Sequence, residues 1–298
     1  MDLTLLRTFL AVHRAGSFTR AAHLLDLSQP AITAQIRSLE KQVGRQLFQR
    51  LPRGVTPTTV ADELAAKLAP HLDALEEITA RDVLGTDPLR HTVHLAGPPE
   101  VTGRRILPAL ADLVRRGLRL RVTLGPGDDL LNGLAAARHD IVVSDVRPRG
   151  RGIASTPLAD EEYVLVGAPR WAELLPRRRI ETGGPTALDG APLISDREDQ
   201  PLVERYWASV FDTKPTSPAG LVVPDLRAVL DCVRAGAGIA VLPRYLCAEA
   251  IDEQSVVPLL EPEIPPLNTL FLAVRTGELS RPHLAQLHAR LIARAADW

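Results

Sequence analysis

The strongest constraint on the fold lies in residues 16–50, which predict two short helices joined by a tight turn. Gly16 and Ser17 interrupt an apolar helical pattern, and Ser17 is a good N-cap for the helix that follows. Ser28 is a second N-cap, and Pro30 stands in the next first turn, where its missing N–H does no harm. The segment therefore predicts a helix-turn-helix whose second helix begins directly after Ser28.

The second of these helices has one apolar face and one polar face. Apolar side chains recur at helical spacing along one side at Ile32, Ile36, Leu39 and Val43. The other side carries the polar residues Gln29, Thr33, Gln35 and Arg37. Gln and Thr exchange hydrogen bonds with base edges, whereas Arg pairs with phosphate or guanine. An ordinary amphipathic helical hairpin shows the same periodicity, so the helix pattern alone leaves two interpretations open.

The distribution of charge favours a nucleic-acid contact. Residues 1–60 hold eight Lys and Arg against three acidic residues, a net charge of +5, whereas the rest of the chain has a net charge of −6. The overall net charge of −1 thus hides a basic N-terminal segment. A basic block of this size attracts phosphate and predicts salt-dependent binding.

A short hairpin is predicted after the second helix. Phe48 to Pro57 includes Pro52, Gly54 and Pro57, residues that mark turns, and Arg50 and Arg53 flank its tip. Each arginine has the alternative of being a solvated surface charge. The pattern predicts a winged form of the helix-turn-helix.

Four motifs of the first fifty residues closely resemble the signature of the LysR-type transcriptional regulators: Gly16-Ser17-Phe18-Thr19 with Ala21-Ala22, Ser28-Gln29-Pro30-Ala31, Gln35-Ile36-Arg37 with Leu39-Glu40, and Leu47-Phe48 with Arg50. Thr33 stands where the family usually has Ser, and Pro57 and Ala61 stand where it usually has Leu and Gly; the last two affect only where the next helix starts. The resemblance implies a DNA-binding domain over residues 1–60, whose contacts to DNA would come from Gln29, Pro30, Thr33, Gln35, Arg37, Arg50 and Arg53. In that family arrangement Gln29, Pro30 and Thr33 would meet base edges, and Arg53 would lie against the adjacent minor groove or its phosphates.

Residues 58–84 predict one long helix that leads into a hinge, so that residues 58–90 form a linker. Leucines and an isoleucine recur every three or four residues, a narrow seam suited to a partner helix, at Leu64, Leu68, Leu72, Leu75 and Ile78. The family uses this helix as an antiparallel dimer contact; the alternative is a helix folded back on its own DNA-binding domain. Pro70 predicts a kink near Lys67–Pro70, or two helices that meet there.

Residues 91–298 alternate apolar strands with helices, the pattern of a parallel sheet covered by helices. Predicted strands include Val93–Ala96, Leu120–Leu124 and Ile141–Val143, and predicted helices include Thr102–Arg116 and Asp128–Arg138. The resemblance implies a two-lobed effector-binding domain like a periplasmic binding protein. Its first lobe would span about residues 91–160 and 266–298 and its second about residues 161–265. The fold class is thus multidomain α/β.

Ligands of open α/β sheets bind beyond the carboxyl ends of the strands. The effector-binding residues predicted from those ends are Pro98, Pro99, Glu100, Thr102, Gly127, Asp128, Ser144, Ser195, Asp196, Arg197, Pro224 and Asp225. Each has the alternative of a plain loop or helix-cap role, and Asp128 and Asp225 are good N-caps. Because Glu100 and Asp128 repel anions, they favour an amine-bearing or zwitterionic effector, with Arg197 available for its carboxylate.

Several other classes of protein find little support. Cys232 and Cys247 are too few for a disulfide scaffold and too far apart for a metal knuckle, so no metal and no cofactor are expected. Gly236-Ala237-Gly238 follows a helix and precedes a strand, the reverse of a dinucleotide-binding loop, and is interpreted as a helix stop. No nucleophile-elbow pattern, signal peptide or long apolar span is present, so a cytoplasmic non-enzyme without membrane attachment is expected.

The sequence favours a ligand-responsive transcription factor that binds double-stranded promoter DNA as a dimer or a dimer of dimers, a homotetramer. A small-molecule effector between the lobes would shift the spacing of its DNA-binding domains, and RNA polymerase is a further candidate partner. Three alternatives stay open: a constitutive DNA-binding protein whose lobes only oligomerise, an enzyme regulated by its N-terminal domain, and an extracellular solute receptor. The last two lack a catalytic constellation and an export signal, respectively.

Overall fold

The computed structural model describes residues 2–51, 54–84, 91–149 and 152–298. The chain divides into two compact units. Unit 1 comprises Met1–Pro98, Ile106–Pro157 and Phe271–Trp298, and unit 2 comprises Pro99–Arg105 and Leu158–Leu270. Below, "the head" means residues 2–57, "lobe 1" means the part of unit 1 that follows residue 90, and "lobe 2" means unit 2.

The head is a winged helix-turn-helix. Its elements are α1 (Leu3–Ala15), α2 (Phe18–Leu25), α3 (Gln29–Val43), β1 (Phe48–Leu51) and β2 (Gly54–Pro57). The Ser17 hydroxyl accepts from the Arg20 N–H and the Ser28 hydroxyl from the Ala31 N–H, both at 3.3 Å, so the two predicted N-caps are confirmed. Gly44 ends α3 with a φ of +70°, a conformation that glycine adopts without strain.

One apolar core holds these helices together. Phe9, Ile32 and Leu39 are fully buried in it, and the rings of Phe9 and Phe48 lie 5.6 Å apart. Because Phe48 begins β1, this ring contact also anchors the wing to the helices. The buried residues of α3 are those of the predicted apolar face.

The linker helix α4 (Thr59–Leu84) continues without a break through Pro70, so the alternative of two separate helices is wrong. Proline removes one backbone hydrogen bond. Packing against the head stabilises α4 on both sides of Pro70, since Ala61, Ala65, Ala69 and Leu72 are buried in the head's core. Side chains of residues 76–84, which include the predicted seam residue Ile78, lie outside the described part of the chain.

The remainder of the chain alternates strands and helices as predicted. In chain order these elements are β3 (Thr92–Gly97), α5 (Pro99–Val101), a π-helical turn (Thr102–Ile106), α6 (Leu107–Arg115), β4 (Arg119–Leu124), α7 (Gly127–Ala135), β5 (Ile141–Ser144), β6 (Ile153–Gly167), α8 (Pro169–Leu174), α9 (Arg177–Gly183), a 3-10 turn (Gly184–Leu188), β7 (Ile194–Ser195), α10 (Pro201–Phe211), β8 (Leu221–Val222), α11 (Leu226–Arg234), β9 (Ile239–Pro243), α12 (Arg244–Asp252), β10 (Val257–Leu260), β11 (Leu267–Arg275), a 3-10 turn (Glu278–Ser280) and α13 (Pro282–Ala295). The helix predicted at Thr102 therefore starts earlier, at Pro99, and is interrupted by the π-helical turn.

In lobe 1, β3 pairs in parallel with both β4 and β5, and β11 pairs antiparallel with β5. In lobe 2, β6 pairs antiparallel with β9 and with β10, and β7 pairs in parallel with β8. The parallel pairs place the carboxyl ends of their strands at one edge, as the prediction of effector-binding residues requires. Strand β6 runs from Ile153 to Gly167; its first half is mostly exposed and its second half is mostly buried.

Candidate DNA-binding face and effector-binding residues

Helix α3 presents an open polar face. Gln29, Pro30 and Arg37 are exposed, while Ile32 and Ile36 on the opposite side are buried in the head. A helix held by its apolar face, with polar side chains free to reach outwards, suits a major groove. The predicted contacts at Gln29, Pro30 and Arg37 thus lie on one accessible surface.

Two other predicted contact residues on α3 already have partners within the head. The Gln35 side-chain oxygen accepts from the buried Thr8 hydroxyl at 2.5 Å, which ties α3 to α1. The Thr33 hydroxyl donates to the Gln29 carbonyl at 3.0 Å. Both residues are half-buried. Their contact to DNA stays a prediction, and Gln35 has a structural role that the sequence pattern did not reveal.

The wing is fixed to α3 by a side chain that the sequence analysis did not single out for this role. The Glu40 carboxylate accepts from the Leu47 N–H at 2.8 Å and from the Phe48 N–H at 3.3 Å. Strand β1 then pairs with β2 so that Arg50 lies opposite Val55. The side chain of Arg50 and the whole of Arg53 lie outside the described residues, so their role in DNA binding stays a prediction.

On lobe 1, the structure brings two of the predicted effector-binding residues together. Gly127 begins α7 beside the end of β5, where an added Cβ would lie 3.2 Å from the Ser144 hydroxyl and 2.2 Å from the Asp145 carboxylate. A side chain at position 127 would therefore require the Asp145 carboxylate to move. Asp145 is therefore part of this cluster, although it was not among the predicted effector-binding residues.

Two further predicted residues of lobe 1 stand apart. Pro98 follows the end of β3 and is half-buried. Asp128 is exposed in the first turn of α7, but Pro126 occupies the N-cap position. The N-cap role suggested for Asp128 is therefore wrong, although an acidic side chain in a first turn still suits the helix dipole.

On lobe 2, Glu100 and Asp225 meet at the start of α11. Glu100 is 8 % exposed, and its carboxylate accepts a hydrogen bond from the Leu226 N–H. Burial raises the pKa of Glu100 above its ordinary value, and the nearby Asp225 adds to the shift. Asp225 caps α11 by accepting from the Arg227 N–H at 2.9 Å, which confirms its N-cap role. The chain thus fills this helix N-terminus with its own carboxylates.

The other predicted residues of lobe 2 form two groups. Pro99 and Thr102 flank Glu100, and the Thr102 hydroxyl is buried without a hydrogen-bond partner among the described residues. Thr102 also begins the π-helical turn, a feature that is frequent at functional sites. Ser195, Asp196 and Arg197 follow β7, where the Ser195 hydroxyl accepts from the Arg197 N–H at 3.3 Å and burial raises the pKa of Asp196. Pro224 directly precedes Asp225.

A buried polar cluster of lobe 2 escaped the sequence analysis. Glu161 is 8 % exposed and accepts from the Tyr163 hydroxyl at 2.8 Å, and it also hydrogen-bonds to Tyr245. The Arg105 guanidinium lies 4.7 Å from the centre of the Tyr245 ring. Burial lowers the pKa of Arg105 and raises that of Tyr245. These residues come from distant parts of the chain, so no local pattern could have linked them.

Two general features complete the description. Across the described ranges, no group of three or more His, Cys, Asp or Glu side chains is placed to hold a metal ion. No helix in that part of the chain is both long and apolar enough to cross a membrane.

Comparison with known proteins identifies the family. Residues 3–62 match the bacterial regulatory helix-turn-helix protein, lysR family, and residues 86–296 match the LysR substrate binding domain. The chain is a LysR-type transcriptional regulator. It is 56 % identical to the HTH-type transcriptional regulator AbaB of Streptomyces antibioticus over the full length of both proteins.

Solved structures of LysR-type regulators share the fold. ArgP from Mycobacterium tuberculosis is similar with a TM-score of 0.77 at 23 % identity, over 99 % of this chain and 98 % of ArgP. Full-length LysG from Corynebacterium glutamicum with the effector Arg bound is similar with a TM-score of 0.67 at 19 % identity, over 100 % and 99 % of the two chains. The predicted family and fold class are thereby confirmed: a LysR-type DNA-binding domain is followed by a substrate-binding domain.

Proposed function

We propose that this LysR-type regulator binds promoter DNA through the exposed face of α3 and the wing, and that a small molecule bound by its lobes alters this DNA binding. The observation that carries the proposal is the division of α3 into a face buried in the head and an open face with Gln29, Pro30 and Arg37. We also propose a cytoplasmic location, since promoter DNA is its target. No catalytic role is proposed for it.

Substitutions in the head test the DNA-binding part of the proposal. Gln29→Ala should relax the choice of sequence, because a base contact is lost, while affinity for unrelated DNA stays nearly unchanged. Arg53→Ala should weaken binding to all sequences and flatten its dependence on salt, because a phosphate contact is lost. Fluorescence titrations at several salt concentrations measure both effects. Unchanged affinity and specificity in both variants would contradict the assignment.

The charges buried in lobe 2 support an effector that carries an amine or guanidinium group. Glu100 and Glu161 are both buried; Arg105 lies near Glu161, and the exposed Arg227 lies near Glu100. Two buried carboxylates disfavour a simple dicarboxylate and favour a cation. LysG, a structural relative, binds the effector Arg. Arg197, which we expect to meet a carboxylate of a zwitterionic effector, is half-exposed and paired with Asp199 at 2.6 Å, a contact that a ligand can exchange.

Calorimetry on the full chain tests this effector class. We expect arginine or lysine to bind more tightly than succinate, and Glu100→Gln to weaken that binding at least tenfold, because charge-assisted hydrogen bonds are the stronger ones. Glu263→Gln, which neutralises an exposed acid of lobe 2 outside the predicted effector-binding residues, is the matched control and should have a much smaller effect. Tight binding of the dicarboxylate with no binding of amines would contradict the proposal.

One observation favours a second candidate, a constitutive regulator whose lobes only oligomerise. Several of the predicted effector-binding groups already have partners within lobe 2, namely Glu100 with the Leu226 N–H, Asp225 with Arg227, and Arg197 with Asp199. If these contacts never open, no effector is needed. A promoter footprint that is identical with and without amine-bearing metabolites would favour this candidate.

We also propose self-association through α4, as a dimer or a dimer of dimers, and contact with RNA polymerase once bound upstream of a promoter. In the single chain Leu72 is 6 % exposed and packs on the head, Leu64 and Leu68 are partly buried there, and Leu75 is 45 % exposed. The part of the seam near Leu75 is therefore the part best placed to meet a partner helix. Sedimentation of the full chain tests the oligomeric state.

A further inference from the structure

A cluster of six charged side chains joins the head, the linker helix and lobe 1. It contains three arginines and three carboxylates, so its formal charges balance, and its side chains are only 5–14 % exposed. We call this cluster the clasp; its members are Arg14, Asp73, Asp140, Arg275, Glu278 and Arg281. These residues lie between positions 14 and 281 of the chain, and they come together because the head packs on lobe 1.

Asp73 on α4 is the shared acceptor of the clasp. Arg14 of α1 donates to both of its carboxylate oxygens, at 3.1 and 2.8 Å. Arg281, which directly precedes α13 of lobe 1, donates to one of the same oxygens at 3.3 Å. A two-pronged pair between guanidinium and carboxylate fixes orientation as well as distance. One side chain of the linker helix thus holds an arginine of the head and an arginine of lobe 1.

A second set of contacts joins the head to lobe 1 nearby. The Arg14 side chain donates to the Ala137 carbonyl at 3.4 Å, and Ala137 is fully buried in the head's apolar core. Asp62 of α4 lies 2.8 Å from His13 of α1 and 3.9 Å from Arg138. The contact therefore has an apolar part as well as a charged part, which supports one defined placement of the head.

On lobe 1, the clasp is anchored to the elements that carry the predicted effector-binding residues. Arg275 donates to the carbonyl of Leu134 at 3.2 Å, near the end of α7, and it pairs with Asp140 at 3.5 Å, just before β5. Asp140 also accepts from the His94 N–H of β3 at 2.8 Å.

The opposite ends of these three elements carry the predicted effector-binding residues. Gly127 begins α7, Ser144 ends β5, and Pro98 follows β3. Each element therefore runs from the effector-binding residues of lobe 1 at one end to the clasp at the other. Contiguous rigid elements with a defined contact at each end can couple two sites.

We propose that Asp73 is a positioning residue for DNA reading: it holds the head at one angle to lobe 1, and the effector acts on DNA binding through the clasp. The inference rests on the proposed function, since it assumes that the head reads DNA and that lobe 1 takes part in binding an effector. Loss of Asp73 leaves Arg14 and Arg281 as buried cations without their shared partner. We therefore expect the head to leave its defined placement while its own core stays folded.

The test compares Asp73→Asn with Glu63→Gln, an exposed acid on the same helix, as the matched control. On a short duplex with one half-site, Asp73→Asn should bind within about twofold of the natural chain, because α3 and the wing are untouched. On a duplex with two half-sites, the affinity of Asp73→Asn should differ roughly tenfold or more from that of the natural chain. The ratio of affinities measured with and without arginine should change by a similar factor, which is within the usual range of coupling between two sites. Asp73→Glu should recover part of this effect and Glu63→Gln should have none.

Hydrogen exchange of the free protein separates the clasp from the proposed function. Backbone amides on either side of the contact, around Arg14 and Ala137, should exchange faster in Asp73→Asn and in the milder variant Arg14→Lys, whether or not DNA or arginine binds. Equal exchange in all variants, or equal two-site binding by Asp73→Asn and the natural chain, would overturn the inference. Loss of one-site binding in Asp73→Asn would also overturn it, because Asp73 would then support the fold of the head itself.

Discussion

Replacing Glu40 by alanine should loosen the wing from helix α3, with a magnitude that follows from its two hydrogen bonds. The carboxylate accepts from the backbone amides of Leu47 and Phe48, whose side chains are 0 % and 3 % exposed. A hydrogen bond to a charged group contributes about 1.5–3 kcal/mol, and a buried amide left without a partner adds its own penalty. Glu40 is half-buried, so water can replace part of the loss. We therefore expect a local destabilisation of about 2 kcal/mol.

Hydrogen exchange of the Leu47 and Phe48 amides is the direct assay. Tryptophan fluorescence does not report on this region, because the three tryptophans all lie beyond residue 170. A loss of about 2 kcal/mol corresponds to roughly 30-fold faster exchange through local opening. Glu40→Gln keeps a neutral acceptor at the same position and should lose protection by less than tenfold. Unchanged protection in Glu40→Ala, or an equal loss in both variants, would refute the reasoning.

Three further predictions address other parts of the chain. Burial lowers the pKa of His139 and His283 to about 4, whereas a histidine in the unfolded chain has a pKa of 6.5. Between pH 6.5 and 4 the unfolded chain therefore binds more protons than the folded chain. The melting temperature of unit 1 should fall as the pH drops through this range, and it should level off above pH 6.5. Gly238→Ala should destabilise lobe 2 by about 1–3 kcal/mol in urea unfolding, because an added Cβ would lie 2.1 Å from the Pro192 carbonyl oxygen. Leu75→Arg should shift the chain towards monomer in sedimentation, since it places a charge on the exposed part of the proposed dimer seam.

Matched controls sharpen the last two of these predictions. Gly190→Ala adds the same methyl group in lobe 2 where nothing lies within 4 Å, and it should leave stability nearly unchanged. Leu174→Arg changes another exposed leucine, on α8, and should not alter the oligomeric state. Equal effects of test and control variants would contradict the packing and dimer arguments. A melting temperature that is constant from pH 6.5 to 4 would contradict the histidine argument.

The features that depended on neighbouring residues were predicted from the sequence. Ser17 and Ser28 cap helices as predicted, because a cap depends on the few residues around it. Gly236 likewise follows α11 with a φ of +80°, as expected for a helix stop. The family itself was recognised from such local motifs.

Contacts between residues distant in the chain could not be predicted from local patterns. Gln35 has the polarity of a base-reading residue, but its side-chain oxygen accepts from Thr8, which belongs to another helix. The alternative of two helices meeting near Pro70 was wrong, because packing on the head supports α4 as one continuous helix. Asp73 and Arg281 are 208 positions apart, and no spacing rule links them. Burial and tertiary contacts decide which of several polar residues stay open to a ligand.

A footprint of the DNA upstream of the gene, with and without arginine and other amine-bearing metabolites, tests the central claim most directly. The account predicts two protected half-sites on one face of the duplex, whose spacing or extent changes when the effector is added. Protection should weaken as salt rises, because phosphate contacts supply much of the affinity. Absence of protection would contradict the assignment of α3 and the wing as a DNA reader. Protection that no metabolite alters would contradict the proposed effector response.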